Sequence, residues 1–140
     1  MKMEKRPAAI LLKEAILQDR LTDVHKLVDE GVNLNNRDNL HGRTYVMIAA
    51  EFGRPLCLQY LIDSGADVSA RDYDGCTALD LAIRFGRRKA VTTLLPHLSM
   101  EELRSAITEA KVLYGQKSGE CLDAVKSALK KREDEDVDDH

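Results

Sequence analysis

The chain has 140 residues, a formal net charge of −3, three cysteines, two phenylalanines and no tryptophan. This length fits one domain of ordinary size, and no apolar run approaches the roughly 18 residues that a membrane span needs. Residues 8–12 are too short for a signal-peptide core, and an odd number of widely spaced cysteines argues against a disulfide framework. We therefore expect a cytoplasmic protein without a membrane segment.

Two segments in the middle of the chain repeat at a spacing of 33 residues. Residues 42–54 read GRTYVMIAAEFGR, and residues 75–87 read GCTALDLAIRFGR. Residues 27–38 recur at 61–72 with an offset of 34, and weaker matches extend the pattern toward both ends. A fixed period of this size is typical of stacked supersecondary units, so the sequence predicts a repeat solenoid.

Residues 8–38 form the first predicted unit, after an N-terminal tail of residues 1–7. Its apolar spacing matches the later units, but Asp19 stands at the position that Gly53 and Gly86 take there. Glycine is the residue best suited to the left-handed conformation that ends a helix. This first unit is therefore expected to be less regular than the others.

Residues 39–72 form the second unit, and they show the plan of one repeat. Thr44 is predicted to cap a short first helix, which ends at Gly53. A second helix follows and stops at Gly65, and a long turn then leads into the third unit, residues 73–98. The apolar positions of this second helix recur at helical spacing and are Leu56, Leu58, Leu61 and Ile62.

Residues 99–132 are predicted to form two further helices without the long turn of the earlier units. A capping box at Ser99 and Glu102 opens the first of them. This helix is expected to run over residues 100–114 and to end at Gly115. A flexible connector at residues 115–119 would then lead to the second helix.

The second helix of this pair is predicted over residues 120–131. We interpret the pair as a degenerate repeat or helical cap that covers the apolar face of the last repeat. A docking module with a role of its own is the alternative. The acidic run at residues 133–140 is predicted to be a disordered, solvated tail.

These motifs resemble those of ankyrin repeat proteins. The matching residues are the GADV segment at 65–68 and the spaced set Asp72, Gly75, Thr77, Leu79, Ala82 and Gly86. The resemblance covers residues 8–98 well and 99–132 weakly, although the Thr44 and Thr77 boxes both lack the Pro and His of the family. It implies an all-α, ankyrin-type helix-turn-helix solenoid with projecting β-turn or hairpin loops, forming a single domain over residues 8–132.

The resemblance also implies a binding surface, in which the long turns project as fingers beside a concave face lined by the first helices. Phe52 and Phe85 lie 33 residues apart on this surface. They are either an aromatic ladder that a partner covers or large side chains that pack against the neighbouring repeat. The predicted protein-binding residues are Arg37, Asn39, Leu40, His41, Arg43, Glu51, Phe52, Arg71, Tyr73, Asp74, Cys76, Arg84 and Phe85.

The sequence carries no recognisable catalytic, cofactor or metal motif. None of the four histidines stands at zinc-ligand spacing with a cysteine or another histidine. No GxSxG, P-loop or GxGxxG segment is present. We expect no enzymatic activity, no cofactor, no metal and no small-molecule substrate.

Two basic clusters leave alternatives open. They either form an import signal or a contact with a nucleic-acid-associated complex, or they are solvated helix faces. The slightly negative net charge and the lack of interleaved aromatics argue against direct nucleic-acid binding. The clusters are Arg84, Arg87, Arg88 and Lys89, and then Lys126, Lys130, Lys131 and Arg132.

The predicted function is a non-catalytic interaction module that binds a protein partner as an adaptor, scaffold or stoichiometric inhibitor. The alternatives are a nuclear regulatory protein and a self-associating structural module. The expected state is a monomer or a weak homodimer.

Overall fold

The computed structural model describes residues 7–113 and 119–138, which form a two-layered stack of helix pairs. In one layer the first, third, fifth and seventh helices pack in succession, and in the other layer the second, fourth, sixth and eighth helices do so. No strand occurs in the described residues. The predicted all-α helix-turn-helix solenoid is confirmed. The helices are α1 (Ala8–Leu17), α2 (Leu21–Asp29), α3 (Tyr45–Glu51), α4 (Pro55–Asp63), α5 (Ala78–Arg84), α6 (Arg88–Leu94), α7 (Met100–Leu113) and α8 (Gly119–Asp138), with a 3₁₀ turn at Leu95–His97.

The core runs along the stack between the two layers. Residues 45–50 of α3 and 78–83 of α5 are buried all round, because each helix has a repeat on either side and a partner helix behind it. Leu56 was expected to face inward, but 65% of it is exposed. Cys57 takes the inward position instead, one turn before the fully buried Leu61.

The first helix of each repeat ends in a left-handed residue. Gly53 and Gly86 have φ angles of 67° and 70°, as the sequence predicted. Asp19 adopts the same conformation with φ 56° and is the non-glycine exception among the described residues. Aspartate tolerates this conformation better than most residues, and Asp19 also accepts a hydrogen bond from the Cys57 thiol at 3.7 Å.

The threonine cap predicted for α3 is present, and α5 has an equivalent cap at Thr77. Thr44 accepts a long hydrogen bond from the backbone of Met47 at 3.5 Å. Thr77 accepts from the backbone of Asp80 at 3.2 Å, and the Asp80 carboxylate accepts in return from the Thr77 N–H at 3.1 Å. The third unit therefore has a full capping box, which the second unit lacks.

An arginine after each helix-ending glycine joins one repeat to the previous one. Arg54 donates to the carbonyl of Leu17 at 2.8 Å, and Arg87 donates to the carbonyl of Glu51 at 2.9 Å. These carbonyls lie at the C-termini of α1 and α3, where helix carbonyls lack partners within the helix. The repeated Gly-Arg pair therefore both ends a helix and fixes the spacing between neighbouring repeats.

The pair formed by α7 and α8 stacks on α5 and α6 as a fourth unit. Leu103 of α7 is fully buried, and the predicted capping box at Ser99 and Glu102 is present, with Ser99 accepting from the Glu102 N–H at 3.1 Å. Arg132 of α8 donates to the carbonyls of Leu95 and Leu98. The pair thus satisfies backbone groups at the end of the third repeat.

The C-terminal acidic residues differ from the prediction of a disordered tail starting at residue 133. Helix α8 continues to Asp138, and Glu133 forms an ion pair with Arg104 of α7 at 3.1 Å. Gly119, expected in the connector, is the first residue of α8. Residues 1–6, 114–118 and 139–140 lie outside the described residues, and with them the predicted helix end at Gly115 and most of the N-terminal tail and connector.

Candidate functional site

Two long turns project from the stack and are called here the first finger (residues 36–43) and the second finger (residues 71–76). Each is held by an aspartate. The Asp38 carboxylate accepts from the backbone N–H of His41 at 2.8 Å, and Asp72 accepts from that of Cys76 at 2.9 Å. Both aspartates therefore form hydrogen bonds within their own turns.

The pKa of Asp38 reflects this internal role. Partial burial alone would raise it, but the backbone N–H groups of the turn and the nearby Lys13 charge hold it below its usual value. The carboxylate is therefore ionised at neutral pH and keeps its hydrogen bonds. These hydrogen bonds stabilise the turn.

The predicted binding residues Arg37 and Arg71 also brace the fingers. Arg37 donates to the carbonyl of Gly42 at 2.8 Å and to that of Arg71, and Arg71 donates to the carbonyl of Gly75 at 2.7 Å. Both side chains are exposed along the fingers. They combine a structural role with a surface position.

The two fingers contact each other through Tyr73. Its backbone N–H donates to the carbonyl of His41 at 2.9 Å. Its ring lies so close to Gly42 that a Cβ atom at Gly42 would stand 2.4 Å from Cδ1 of Tyr73. The two fingers are therefore in direct contact, and the outer part of the tyrosine, which is 67% exposed, faces solvent.

Arg43 and Glu51 were predicted as contact residues, but the structure uses them inside the protein. Only 8% of Arg43 is exposed, because its guanidinium lies between Glu51 at 2.7 Å and Asp72 at 3.3 Å. Burial alone would lower the pKa of Arg43, but the two carboxylates raise it. This three-residue cluster links α3 to the second finger. Little of the Arg43 surface is accessible to a partner.

The large apolar side chains that stay exposed here come in pairs spaced 33 residues apart. Leu40 and Tyr73 occupy the two fingers with exposures of 79% and 67%, and Phe52 and Phe85 end α3 and α5 with 40% and 42%. More than half of the surface of each phenylalanine is covered by packing within the protein. The remaining surface is accessible to a partner. Arg84 lies over the Phe85 ring, 5.4 Å from its centroid, which is cation–π distance.

The other predicted contact residues divide between exposed and half-buried positions. Asn39, His41 and Asp74 are exposed, whereas Cys76 is half-buried. Burial and the nearby Asp72 raise the pKa of the Cys76 thiol, so this group stays protonated at neutral pH. A protonated thiol is a poor nucleophile.

A small pocket of about 140 Å³ lies between α1 and the first finger. Lys13 lines it together with Tyr45, Ile48 and residues of the finger. Lys13 was not among the residues predicted for this site. Lys13 could have been found from the repeat, because the equivalent residue 34 positions later is the buried Met47. A lysine at a position that is apolar in the next repeat is a signal of a local difference.

The basic clusters are partly structural. Arg87 and Arg132 donate to backbone carbonyls of neighbouring units. Arg84, Arg88 and Lys89 are exposed on the third repeat. The first cluster therefore presents cations beside Phe85.

The part of the chain that the structure describes holds neither a candidate metal cluster nor a candidate membrane-spanning helix. Within residues 7–113 and 119–138, no group of three or more His, Cys, Asp or Glu side chains is placed to hold a metal ion. In the same part of the chain, no helix combines the length and the apolar character needed to cross a membrane.

Comparison with known proteins identifies the repeat. A family model of ankyrin repeats, with three copies, matches residues 12–103. Mouse ankyrin repeat and SOCS box protein 6 is 42% identical over 66 residues, which is 46% of this chain and 16% of that protein. The mouse B-cell lymphoma 3 protein homolog is 42% identical over 59 residues, 39% of this chain and 13% of that protein. Rat ankyrin repeat and SAM domain-containing protein 6 is 36% identical over 69 residues, 49% of this chain and 8% of that protein.

The similarity to these relatives is confined to a short part of each. The chain spans between 8% and 16% of their length.

Proposed function

This chain belongs to the ankyrin repeat family, and on that premise we propose that it is a non-catalytic protein-interaction module. Its binding surface consists of the exposed parts of the two fingers and the ends of α3 and α5. The partner is a protein, and neither a cofactor nor a small-molecule substrate takes part. Fold alone does not assign a function, so the proposal depends on the surface.

The observation that carries the proposal is the paired exposure of apolar side chains on a rigid support. Leu40, Tyr73, Phe52 and Phe85 remain between 40% and 79% exposed, while the polar groups beneath them are bonded within the protein. Aromatic side chains are enriched among the residues that dominate binding energy. A surface that is already ordered loses little conformational entropy when a partner binds.

We propose that the module acts as an adaptor or scaffold, or as a stoichiometric inhibitor that covers a site on its partner. The proposed location is the cytoplasm, with the nucleus as the alternative, and the free state of all three cysteines supports a reducing compartment. The exposed cations of the third repeat would face acidic groups of the partner. Adaptor and inhibitor differ in whether the bound partner keeps its own activity.

The test is affinity capture from native lysate with the wild-type chain beside a Phe52→Ala/Tyr73→Ala/Phe85→Ala variant. The variant is expected to fold, because each ring is at least 40% exposed, and to lose the captured partner. The matched control is Leu56→Ala, which removes a 65% exposed apolar side chain from α4, away from the fingers. Binding to the control should equal binding to wild type.

Circular dichroism of all three proteins comes first, so that loss of fold is not mistaken for loss of binding. A partner that the triple variant still captures would contradict the proposed surface. Absence of any partner across lysates would contradict the proposal as a whole. A recovered partner, once purified, should form a saturable one-to-one complex with the wild-type chain.

A further inference from the structure

The two fingers differ in what lies over the left-handed glycine of each turn. Gly42 and Gly75 are equivalent residues of successive repeats, 33 positions apart. A Cβ atom at Gly42 would collide with the ring of Tyr73, whereas a Cβ atom at Gly75 would meet no other atom within 4 Å. The first finger is therefore covered by the finger that follows it, and the second finger has a free face in the equivalent direction.

The backbone shows the same difference between the fingers. The N–H of Tyr73 donates to the carbonyl of His41 at 2.9 Å, which joins the two fingers. Asp74 is the residue equivalent to His41, and among the described residues no backbone N–H donates to its carbonyl. An unpaired backbone group at such an edge can pair with another chain.

A third finger is absent because the fourth unit begins without a long turn. Leu98 ends the third unit, and Ser99 opens α7 directly with its capping box. Helix α7 lies beside the second finger instead and leaves a gap of about 360 Å³. This gap is called here the third-finger site, and its lining residues are Asp74, Gly75, Cys76, Thr108, Glu109 and Val112.

The walls of the third-finger site are accessible and partly apolar. Val112 is 79% exposed. Asp74 and Thr108 are exposed, and Cys76 is half-buried. Because Val112 and Gly75 line the same gap, a flat aromatic side chain that enters it can contact both and bury apolar surface.

The charges at the third-finger site are negative. Two carboxylates line it, those of Asp74 and Glu109, and none of its described lining residues is cationic. Burial and the nearby Asp80 raise the pKa of Glu109, while Arg71 lowers it. A cation brought next to Glu109 would favour the ionised carboxylate further. The site is therefore complementary to a basic segment.

We propose that the third-finger site binds an extended segment of the protein partner that carries an aromatic residue next to a lysine or arginine. The aromatic ring packs on Gly75 and Val112, as Tyr73 packs on Gly42. The backbone N–H of this residue donates to the carbonyl of Asp74, and the neighbouring cation lies near the two carboxylates. The inference rests on the proposed function, because the segment belongs to the protein that the fingers bind.

A slim segment fits this site better than a complete repeat or a second copy. Helices α7 and α8 already fill the place of the next helix pair, so only the position of a finger is left. The second finger of another copy would bring Asp72 and Asp74, which flank its Tyr73, next to carboxylates of the same sign. Like charges at an interface disfavour that pairing.

The test is NMR titration of the ¹⁵N-labelled full chain with short peptides near neutral pH. Acetyl-Lys-Tyr-Lys-amide is expected to bind weakly, since a tripeptide makes few contacts, and to shift the amide signals of Asp74, Gly75, Thr108 and Val112. Acetyl-Lys-Ala-Lys-amide lacks the ring, and acetyl-Glu-Tyr-Glu-amide carries the opposite charge. Each of these two should bind about fivefold more weakly, or worse.

Asp74→Lys reverses one charge of the site. It should weaken binding of the basic tyrosine peptide about fivefold or more and improve binding of the acidic peptide over wild type. Asp74 is exposed, so the variant is expected to fold, and its NMR spectrum reports this directly. Asp134→Lys is the matched control, because it makes the same charge change at an exposed position of α8, and it should leave both affinities unchanged.

Three results would overturn the inference. The first is the absence of shifts at the third-finger site up to about 10 mM peptide, or shifts confined to other residues. The second is equal binding of the basic and acidic peptides, or an Asp74→Lys variant that binds like its control. The third is a shift of the same signals on dilution of the chain alone, which would mean that a second copy fills the site.

This outcome is separable from that of the proposed function. The peptides probe the third-finger site without the partner, whereas lysate capture probes the surface that includes Phe52, Tyr73 and Phe85. If a partner is captured through that surface and the peptides do not bind, only the inference fails. If the peptides bind as expected and no partner is captured, the site stands and the proposed function fails.

Discussion

At the scale of single residues, Arg43 is a buried cation held between two carboxylates. Its side chain is 9% exposed, and the side chain of its partner Asp72 is not exposed at all. Removing one member of a buried ion pair is costly because it leaves the other charge desolvated and unpaired. Arg43 is therefore the residue through which α3 and the second finger stabilise each other.

We expect Arg43→Ala to lower the free energy of unfolding by about 3 kcal/mol. Urea denaturation followed by circular dichroism measures this loss. Arg104→Ala is the control, because Arg104 and Glu133 are paired at 3.1 Å with side-chain exposures of 56% and 46%. Exposed pairs contribute about 0–1 kcal/mol, so equal losses for the two variants would contradict the structural role of Arg43.

At the scale of elements, the fingers depend on glycines with left-handed backbones. Gly42 and Gly75 occupy equivalent positions 33 residues apart, with φ angles of 68° and 83°. Their surroundings differ: an added Cβ meets Tyr73 at Gly42 but nothing within 4 Å at Gly75. The pair separates the effect of backbone conformation from that of the contact between fingers.

We expect Gly75→Ala to cost about 1 kcal/mol, from the left-handed backbone alone. Gly42→Ala should cost distinctly more, because the new methyl group also collides with the Tyr73 ring. Thermal and urea unfolding of both variants gives the comparison. In the background of Tyr73→Ala, the cost of Gly42→Ala should fall to that of Gly75→Ala, since neighbouring residues are not additive.

If the two alanine variants lose equal stability in the wild-type background, the Tyr73 contact contributes nothing. The fingers would then be independent elements. Their use as one binding surface would lose its physical support.

At the scale of the whole molecule, the C-terminal helix pair decides whether the stack has a covered end. Leu94 is fully buried and Leu98 is 6% exposed beneath this pair, and Arg132 bonds to carbonyls at the end of the third repeat. Each unit of a repeat stack derives its stability from its neighbours. Loss of the pair removes one neighbour and exposes an apolar face.

Deletion of residues 99–140 should therefore cause aggregation or lower Tm by about 10 °C or more. Differential scanning calorimetry and light scattering measure the two outcomes. Deletion of residues 133–140 alone is the control, because it keeps Arg132 and every buried residue of α8, and it should change Tm little. An unchanged melting curve for the longer deletion would contradict the cap interpretation and favour a separate docking role.

Much of the fold was readable from the sequence because repeat proteins depend on local spacing. The period of 33 predicted the stacked pairs, and the positions of Thr44, Gly53 and Ser99 predicted helix ends that the structure contains. These signals act over three or four residues. Asp19 was also readable as an irregular helix end, and its φ of 56° agrees.

The candidate site was less predictable, because its residues are defined by long-range partners. Arg43 and Glu51 read as surface residues next to a turn, and only the packing of repeats brings Asp72, 29 residues away from Arg43, into contact. Leu56 and Cys57 both fit a helical stripe, and the neighbouring repeats decided which one is buried. The helical continuation of α8 past residue 133 was likewise missed, since the ion pair of Glu133 with Arg104 joins residues 29 positions apart.

The sequence by itself determined the architecture and the family, because a repeated short pattern encodes a repeated local structure. Tertiary structure alone decided which charged side chains are structural and which apolar side chains stay exposed. Burial and pairing depend on neighbours that are distant in the chain, and a linear pattern carries no record of them.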